Sequence, residues 1–192
     1  MPYPVRFQIV MAFKLSNQPI RPILLCACLL FLSGCTTASY FQRSDHSEIV
    51  SQAMGRTMSY SVYTPPNWTP LESLPLMVLL HGAGDSHESF DRYAVGSILD
   101  EKINAGKAPR VIIVSPDGEL GFWENWHDGT RSYRDWVVRD LMPYITKRYA
   151  TLPCPKYCYI SGISMGGHGA MRFAYHEHDT FNSVSVLSAP IL

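Results

Sequence analysis

Two runs in the sequence, "LPLMVLL" at residues 74–80 and "RVIIVSP" at residues 110–116, are apolar at nearly every position. A strand with one wet face alternates apolar and polar residues, so a strand with no polar face must be covered on both sides. The runs end in turn residues, "HGAG" (His81–Gly84) and "PDG" (Pro116–Gly118), after too few residues for a buried helix. Helical patterns lie between and after them. Such alternation constrains the chain to an α/β fold, a mostly parallel sheet with helices on both faces.

The remaining elements fit that frame. "TMSYSVYTPP" is expected to be a strand ended by Pro65 and Pro66. Residues 85–109 are expected to form one helix, opened by an Asp85/Glu88 capping box and closed by Gly106 and Pro109. In "SYRDWVVRDLMPYITKRY", Val137, Leu141, Tyr144 and Ile145 share a helix face, Ser132 and Asp135 suggest a weaker capping box, and Pro143 should kink the helix. A strand over Lys156–Ser161, a helix after Ser164 with Ala170, Phe173 and Ala174 on its buried face, and a strand "SVSVLSA" (Ser183–Ala189) complete the pattern.

The first 34 residues read as a signal rather than as part of this fold. Arg6, Lys14 and Arg21 precede the apolar run "PILLCACLLFL" (Pro22–Leu32), with "SGC" directly after it, and Met11 gives a more usual start for such a signal. The run is too short to span a bilayer, which takes about 20 apolar residues. "LSGC" resembles a bacterial lipobox, which implies that Cys35 is lipidated and becomes the first mature residue. The alternative is an ordinary secretory signal cut a few residues later. Thr36, in place of an aspartate that resembles an inner-membrane retention signal, favours an outer-membrane, envelope location. The polar residues 35–56 then serve as a tether, and residues 57–192 as the folded domain.

Sixteen basic and sixteen acidic residues cancel without any run of one sign, which excludes the concentrated basic face that nucleic acid requires. A composition 46% hydrophobic and 17% charged is that of a globular domain. Beyond the signal and Cys35 only Cys154 and Cys158 remain, in "CPKYC". In an oxidising compartment they close a small disulfide loop, and otherwise they stand as two free thiols. A CxxxC pair without a matching histidine pair is no metal signature.

"GISMG" (Gly162–Gly166) fits the G-x-S-x-G elbow, a tight strand-to-helix turn that lifts Ser164 above the sheet. Positions two before and two after the serine crowd each other and must be small, and Gly167 gives further clearance. Acyl transfer also needs two N–H donors for its oxyanion. Met165, next to the serine, would supply one, and Ala83 in "HGAG", or Gly84 in its place, the other.

With "LMPYITKRY" before it and "FNSVSVLSAPI" after it, "GISMGGHGAMRFA" resembles the esterase D family of α/β-hydrolases. That group includes S-formylglutathione hydrolases, feruloyl and acetyl esterases and the antigen 85 mycolyltransferases. The resemblance covers roughly residues 57–192 and implies a carboxylic-ester hydrolase with Ser164 as nucleophile and no metal or organic cofactor. Its substrate would be a small-molecule or polysaccharide-linked ester, and an envelope enzyme fits an exported chain better than a cytosolic glutathione-ester role. The family's order is Ser, then Asp or Glu, then His, and the sequence reaches Leu192 before either partner is met. The expectation is therefore an incomplete hydrolase domain with impaired activity, whose last strand is an apolar edge. The alternatives are a non-catalytic envelope lipoprotein and an acyltransferase of the mycolyltransferase type.

The histidines present do not fill the gap. His176 lies about 18 Å along the helix axis from Ser164 at 1.5 Å per residue, against the 3 Å or so that a general base needs. His178 is further still. His168 is expected to pack rather than to react, and His127 to sit on a loop. Trp123 and Trp126 are candidates to line an acyl or aromatic pocket.

Overall fold

A computed structural model describes residues 43–190. The signal residues, Cys35 and the first part of the tether lie outside the described residues. Among those described, no helix is long and apolar enough to cross a membrane.

Six strands form one sheet in the order β1-β2-β4-β3-β5-β6. They are β1 (Asp45–Ser51), β2 (Arg56–Tyr63), β3 (Leu76–Leu80), β4 (Ile112–Pro116), β5 (Cys158–Ile163) and β6 (Ser183–Leu187). β1 and β2 run antiparallel, as do β2 and β4, while β4, β3, β5 and β6 are mutually parallel. The parallel strands are joined through α1 (Ser89–Arg92) and α2 (Val95–Asn104), then α3 (Tyr133–Asp135), a π-helical segment (Trp136–Leu141) and α4 (Met142–Arg148), then α5 (Met165–His176).

The two apolar runs are the centre of this sheet, and their side chains divide between its faces. Leu76, Val78 and Leu80 of β3 with Ile112 and Val114 of β4 enter the main core against Trp136, Val137, Leu141, Ile145, Ala170 and Phe173. Ile113 packs on the other face with Tyr63 and Phe90, and Met77, Leu79, Val95 and Leu99 close over that second cluster. Both faces are dry, which is why the sequence shows no alternation there.

Four local expectations change. Asp45–Ser51, read as tether, is a strand paired with β2 from Asp45↔Val62 to Ser51↔Arg56. It buries only Ser51, so its side chains carry no apolar signal. The expected helix over 85–109 is two short helices broken at Ala94, whose φ is 54°. Asp85 caps neither, and instead accepts from the Ser86 N–H at 3.0 Å and pairs with Arg92 at 3.0 Å. Ser132 makes no capping bond, and the turn widens to π-helical form just before Pro143, whose ring would crowd the carbonyl of Arg139 in a regular helix. Ala174 is exposed, although Ala170 and Phe173 are buried as expected. Cys154 and Cys158 form a disulfide with Cα atoms 5.1 Å apart, at the entry to β5.

Candidate active site

From β3 the chain crosses towards β4 on one flank, and from β5 towards β6 on the other. Connections that diverge in this way leave a crevice beyond the carboxyl ends of the two strands. The parallel register pairs Leu80 with Gly162, so the residues that follow, His81–Gly82 and Ile163–Ser164, emerge side by side.

Ser164 has φ 55° and ψ −119°, a conformation that side chains other than glycine's rarely adopt. Its N–H donates to the Leu187 carbonyl at 2.9 Å and its own carbonyl accepts from the His168 N–H at 2.9 Å. The residue is exposed, while Met165, Gly166 and Gly167 behind it are buried. Sterics explain the glycines. A Cβ on Gly162 would lie 2.1 Å from the Gly166 carbonyl oxygen, and a Cβ on Gly166 2.1 Å from that of Leu80. Gly167 has only slightly more room, with the Leu187 oxygen 2.7 Å from the same point.

The expected glycine loop faces the serine. Gly82, Ala83, Gly84, Asp85, Arg92, Tyr93, Ile163 and Ser164 line one cleft of about 350 Å³. Met165 is the first residue of α5, so its N–H has no acceptor within the helix. The Ala83 N–H makes no hydrogen bond among the described residues. Beside this cleft, sharing Gly82, Asp85, Tyr93 and Ile163 with it, is a nearly all-apolar cavity of about 320 Å³ floored by Leu79, Phe90, Val95 and Leu187.

His81, which opens the "HGAG" turn, has a positioning role that the sequence did not single out. Its ring is buried, and Nε2 accepts the Gly118 N–H at 3.0 Å, so the proton sits on Nδ1 and is donated to the Gly82 carbonyl at 2.8 Å. The imidazole therefore ties the glycine loop to the loop after β4. Asp117 stands 3.6 Å from Nε2. Burial pushes the Asp117 carboxyl up, but the hydrogen bonds from His87 and the Glu119 N–H outweigh it and hold the group well below the usual carboxylate range.

Other candidates fall away from the cleft. Trp123 is wholly buried, with its ring where a Cβ on Gly118 or Gly169 would stand (2.4 and 2.6 Å), so it is a core residue and not a pocket wall. Trp126 is half exposed on the same loop and outside the cleft. His168 packs edge-on to Phe122, His127 is exposed, and His178 pairs with Asp179 at the end of α5. Among the described residues no histidine lines the Ser164 cleft.

The mixed, mostly parallel sheet and the strained serine turn facing a glycine loop define an α/β-hydrolase fold. The chain belongs to the esterase family described as "Putative esterase", which matches residues 51–192. It is 29% identical over 167 residues to an S-formylglutathione hydrolase of Arabidopsis thaliana, a match covering 73% of this chain and 54% of that protein. It is 30% identical over 145 residues to an esterase of Mycobacterium tuberculosis, covering 73% of this chain and 31% of the other. A solved ferulic acid esterase aligns with a TM-score of 0.69 at 25% identity, over 76% of this chain and 58% of that one. An S-formylglutathione hydrolase of Staphylococcus aureus aligns with a TM-score of 0.64 at 21% identity, over 77% and 57%. The chain thus spans about half the length of the plant hydrolase and under a third of the mycobacterial esterase.

Proposed function

We propose that this chain carries the nucleophile half of a serine carboxylic-ester hydrolase. Ser164 Oγ attacks the ester carbonyl, the C–O bond to the alcohol breaks, and the alcohol leaves with a proton. Water then releases the acid from the acyl-enzyme. The Met165 and Ala83 N–H groups hold the oxyanion. The observation that carries this reading is the exposed Ser164, strained at φ 55° and facing the Gly82–Gly84 loop across one cleft. The adjoining apolar cavity suits the acyl part of a small-molecule or polysaccharide-linked ester. Three of the solved structures the chain resembles are named as ferulic acid esterases, one in complex with ferulic acid, and an ester of an acid of that size is a sensible first substrate.

No described histidine lines the cleft, so the reading includes slow turnover by the 192-residue chain itself, with Ser164 attacking without a general base and assisted only by the oxyanion donors and binding. With p-nitrophenyl acetate, hydrolysis above the buffer rate should be lost in Ser164→Ala, and should fall several orders of magnitude below that of the hydrolases and esterases this chain matches. A rate unchanged by Ser164→Ala would refute the assignment and leave a non-catalytic envelope lipoprotein.

The reading extends to location: an exported protein held by lipid on Cys35 at the outer membrane. Support comes from the signal pattern before Cys35 and from the Cys154–Cys158 disulfide, a bond that persists mainly in oxidising compartments. Radiolabelled palmitate should enter the full chain expressed in a bacterium and be absent from Cys35→Ser. Equal labelling of the two would exclude the anchor.

A further inference from the structure

His46 on β1 and His87 and Glu88 in the turn before α1 are far apart in sequence but meet in space. One ligand atom from each lies within 4.8 Å of the other two. The two rings stand edge to face with centroids 5.4 Å apart, and His46 Nδ1 is 4.0 Å from Glu88 Oε1. The outer nitrogen of each imidazole is already directed at a carboxylate. His46 Nε2 is 3.0 Å from Asp91 Oδ2, and His87 Nδ1 is 3.4 Å from Asp117 Oδ2. Those carboxylates are themselves held. Asp91 accepts from the Arg43 N–H at 2.8 Å and the Ser44 hydroxyl at 2.6 Å, and Asp117 accepts from the Glu119 N–H at 2.9 Å. The His87 carbonyl is pinned by the Ser61 hydroxyl at 2.7 Å.

A carboxylate behind each imidazole is the arrangement that orients metal-binding histidines and raises the basicity of the nitrogen on the far side. Here that leaves His46 Nδ1, 4.0 Å from Glu88 Oε1, and His87 Nε2 as the nitrogens not directed at those carboxylates. We infer that His46, His87 and Glu88 form a binding site for a divalent transition-metal ion of the zinc type, which clasps β1 to the turn before α1. Two imidazoles and one carboxylate are a zinc-type donor set, whereas calcium and magnesium need mostly oxygen donors. Glu88, with 54% of its side chain exposed, leaves the outer side of the site open to a water ligand. This site is independent of the esterase reading, since none of its residues lines the Ser164 cleft.

The test uses the full chain with its disulfide intact, without a polyhistidine tag, and stripped with a chelator. Calorimetric titration with zinc chloride should give one ion per chain, and zinc should raise the melting temperature. His46→Ala and Glu88→Gln, both at exposed positions, should abolish that binding and the zinc-induced shift, each read against the variant's own metal-free melting temperature. Asp91→Asn should weaken the affinity by roughly 10- to 100-fold. Cobalt(II) should show the intense visible bands of a low-coordinate, imidazole-bound ion in the wild type and not in His46→Ala. Absence of one-to-one binding would overturn the inference. So would one-to-one binding that survives both His46→Ala and Glu88→Gln.

Discussion

Among the described residues, Ser164 is one of several non-glycine residues held at positive φ, and it is the one that lines the cleft. A non-glycine residue at φ 55° and ψ −119° costs on the order of 1–3 kcal/mol, which the surrounding packing must offset. Ser164→Gly should relieve it and Ser164→Ala should not. Allowing for the extra freedom of glycine in the unfolded chain, urea denaturation should show Ser164→Gly more stable than Ser164→Ala by about 1 kcal/mol. The opposite holds two residues on. In Gly166→Ala the new methyl meets the Leu80 backbone oxygen at 2.1 Å, which cannot give way without moving β3. A loss of about 3 kcal/mol or more is expected in the same assay. The elbow was legible in the sequence because its demands are local: small residues two before and two after a serine, between a strand and a helix. His81 was not, because its partners Gly118 and Asp117 lie more than thirty positions away and only the fold brings them to its ring.

At the scale of elements, legibility followed burial. β3 and β4 could be read directly, since both faces of each are dry. β1 could not, because it is an edge strand whose outward residues are those of any polar linker. The break at Ala94 also escaped the sequence, since the apolar pattern runs on through it. Asp100 of α2 shows how such an element is anchored to the sheet and to residue 43. It accepts from Arg43 Nε at 2.5 Å and from the Tyr63 hydroxyl at 2.7 Å. Burial pushes the Asp100 carboxyl up, but the hydrogen bonds from Arg43 and Tyr63 outweigh it and lower its pKa. A depressed carboxylate stabilises the fold at pH values above its unfolded pKa, and that contribution fades as pH falls through the lower folded value. Asp100→Asn should therefore cost about 1–2 kcal/mol at neutral pH, with the difference shrinking below about pH 4 in denaturation curves taken across that range. The Cys154–Cys158 link closes a loop of four-residue separation at the start of β5. Loop-closure entropy assigns such a short ring about 2 kcal/mol, so a reductant should lower the unfolding free energy by that order.

For the molecule as a whole, the sheet order places the site at the carboxyl ends of β3 and β5, two adjacent interior strands, and leaves β6 at an edge among the described residues. Val186 and Leu187 are 43% and 49% exposed there, as the apolar sequence "SVSVLSA" led one to expect of an uncovered edge. Unpaired backbone groups beside exposed apolar side chains are a template for association. Light scattering should detect self-association of the chain that Val186→Lys reduces. The fold class was legible from the order of strands and helices alone, whereas the pairing order β4-β3-β5 depends on crossovers that no local pattern reports. One consequence concerns time rather than shape. The amide of Ser164 hangs from the carbonyl of Leu187 on that same edge strand, so the elbow keeps its form only as long as β6 stays docked. Fraying of an edge is among the low-energy openings of a domain. An inhibitor seated on the serine should then slow amide deuteration along β6. By the reciprocity of linked equilibria, any segment or partner that covers β6 should tighten that inhibitor by the same factor.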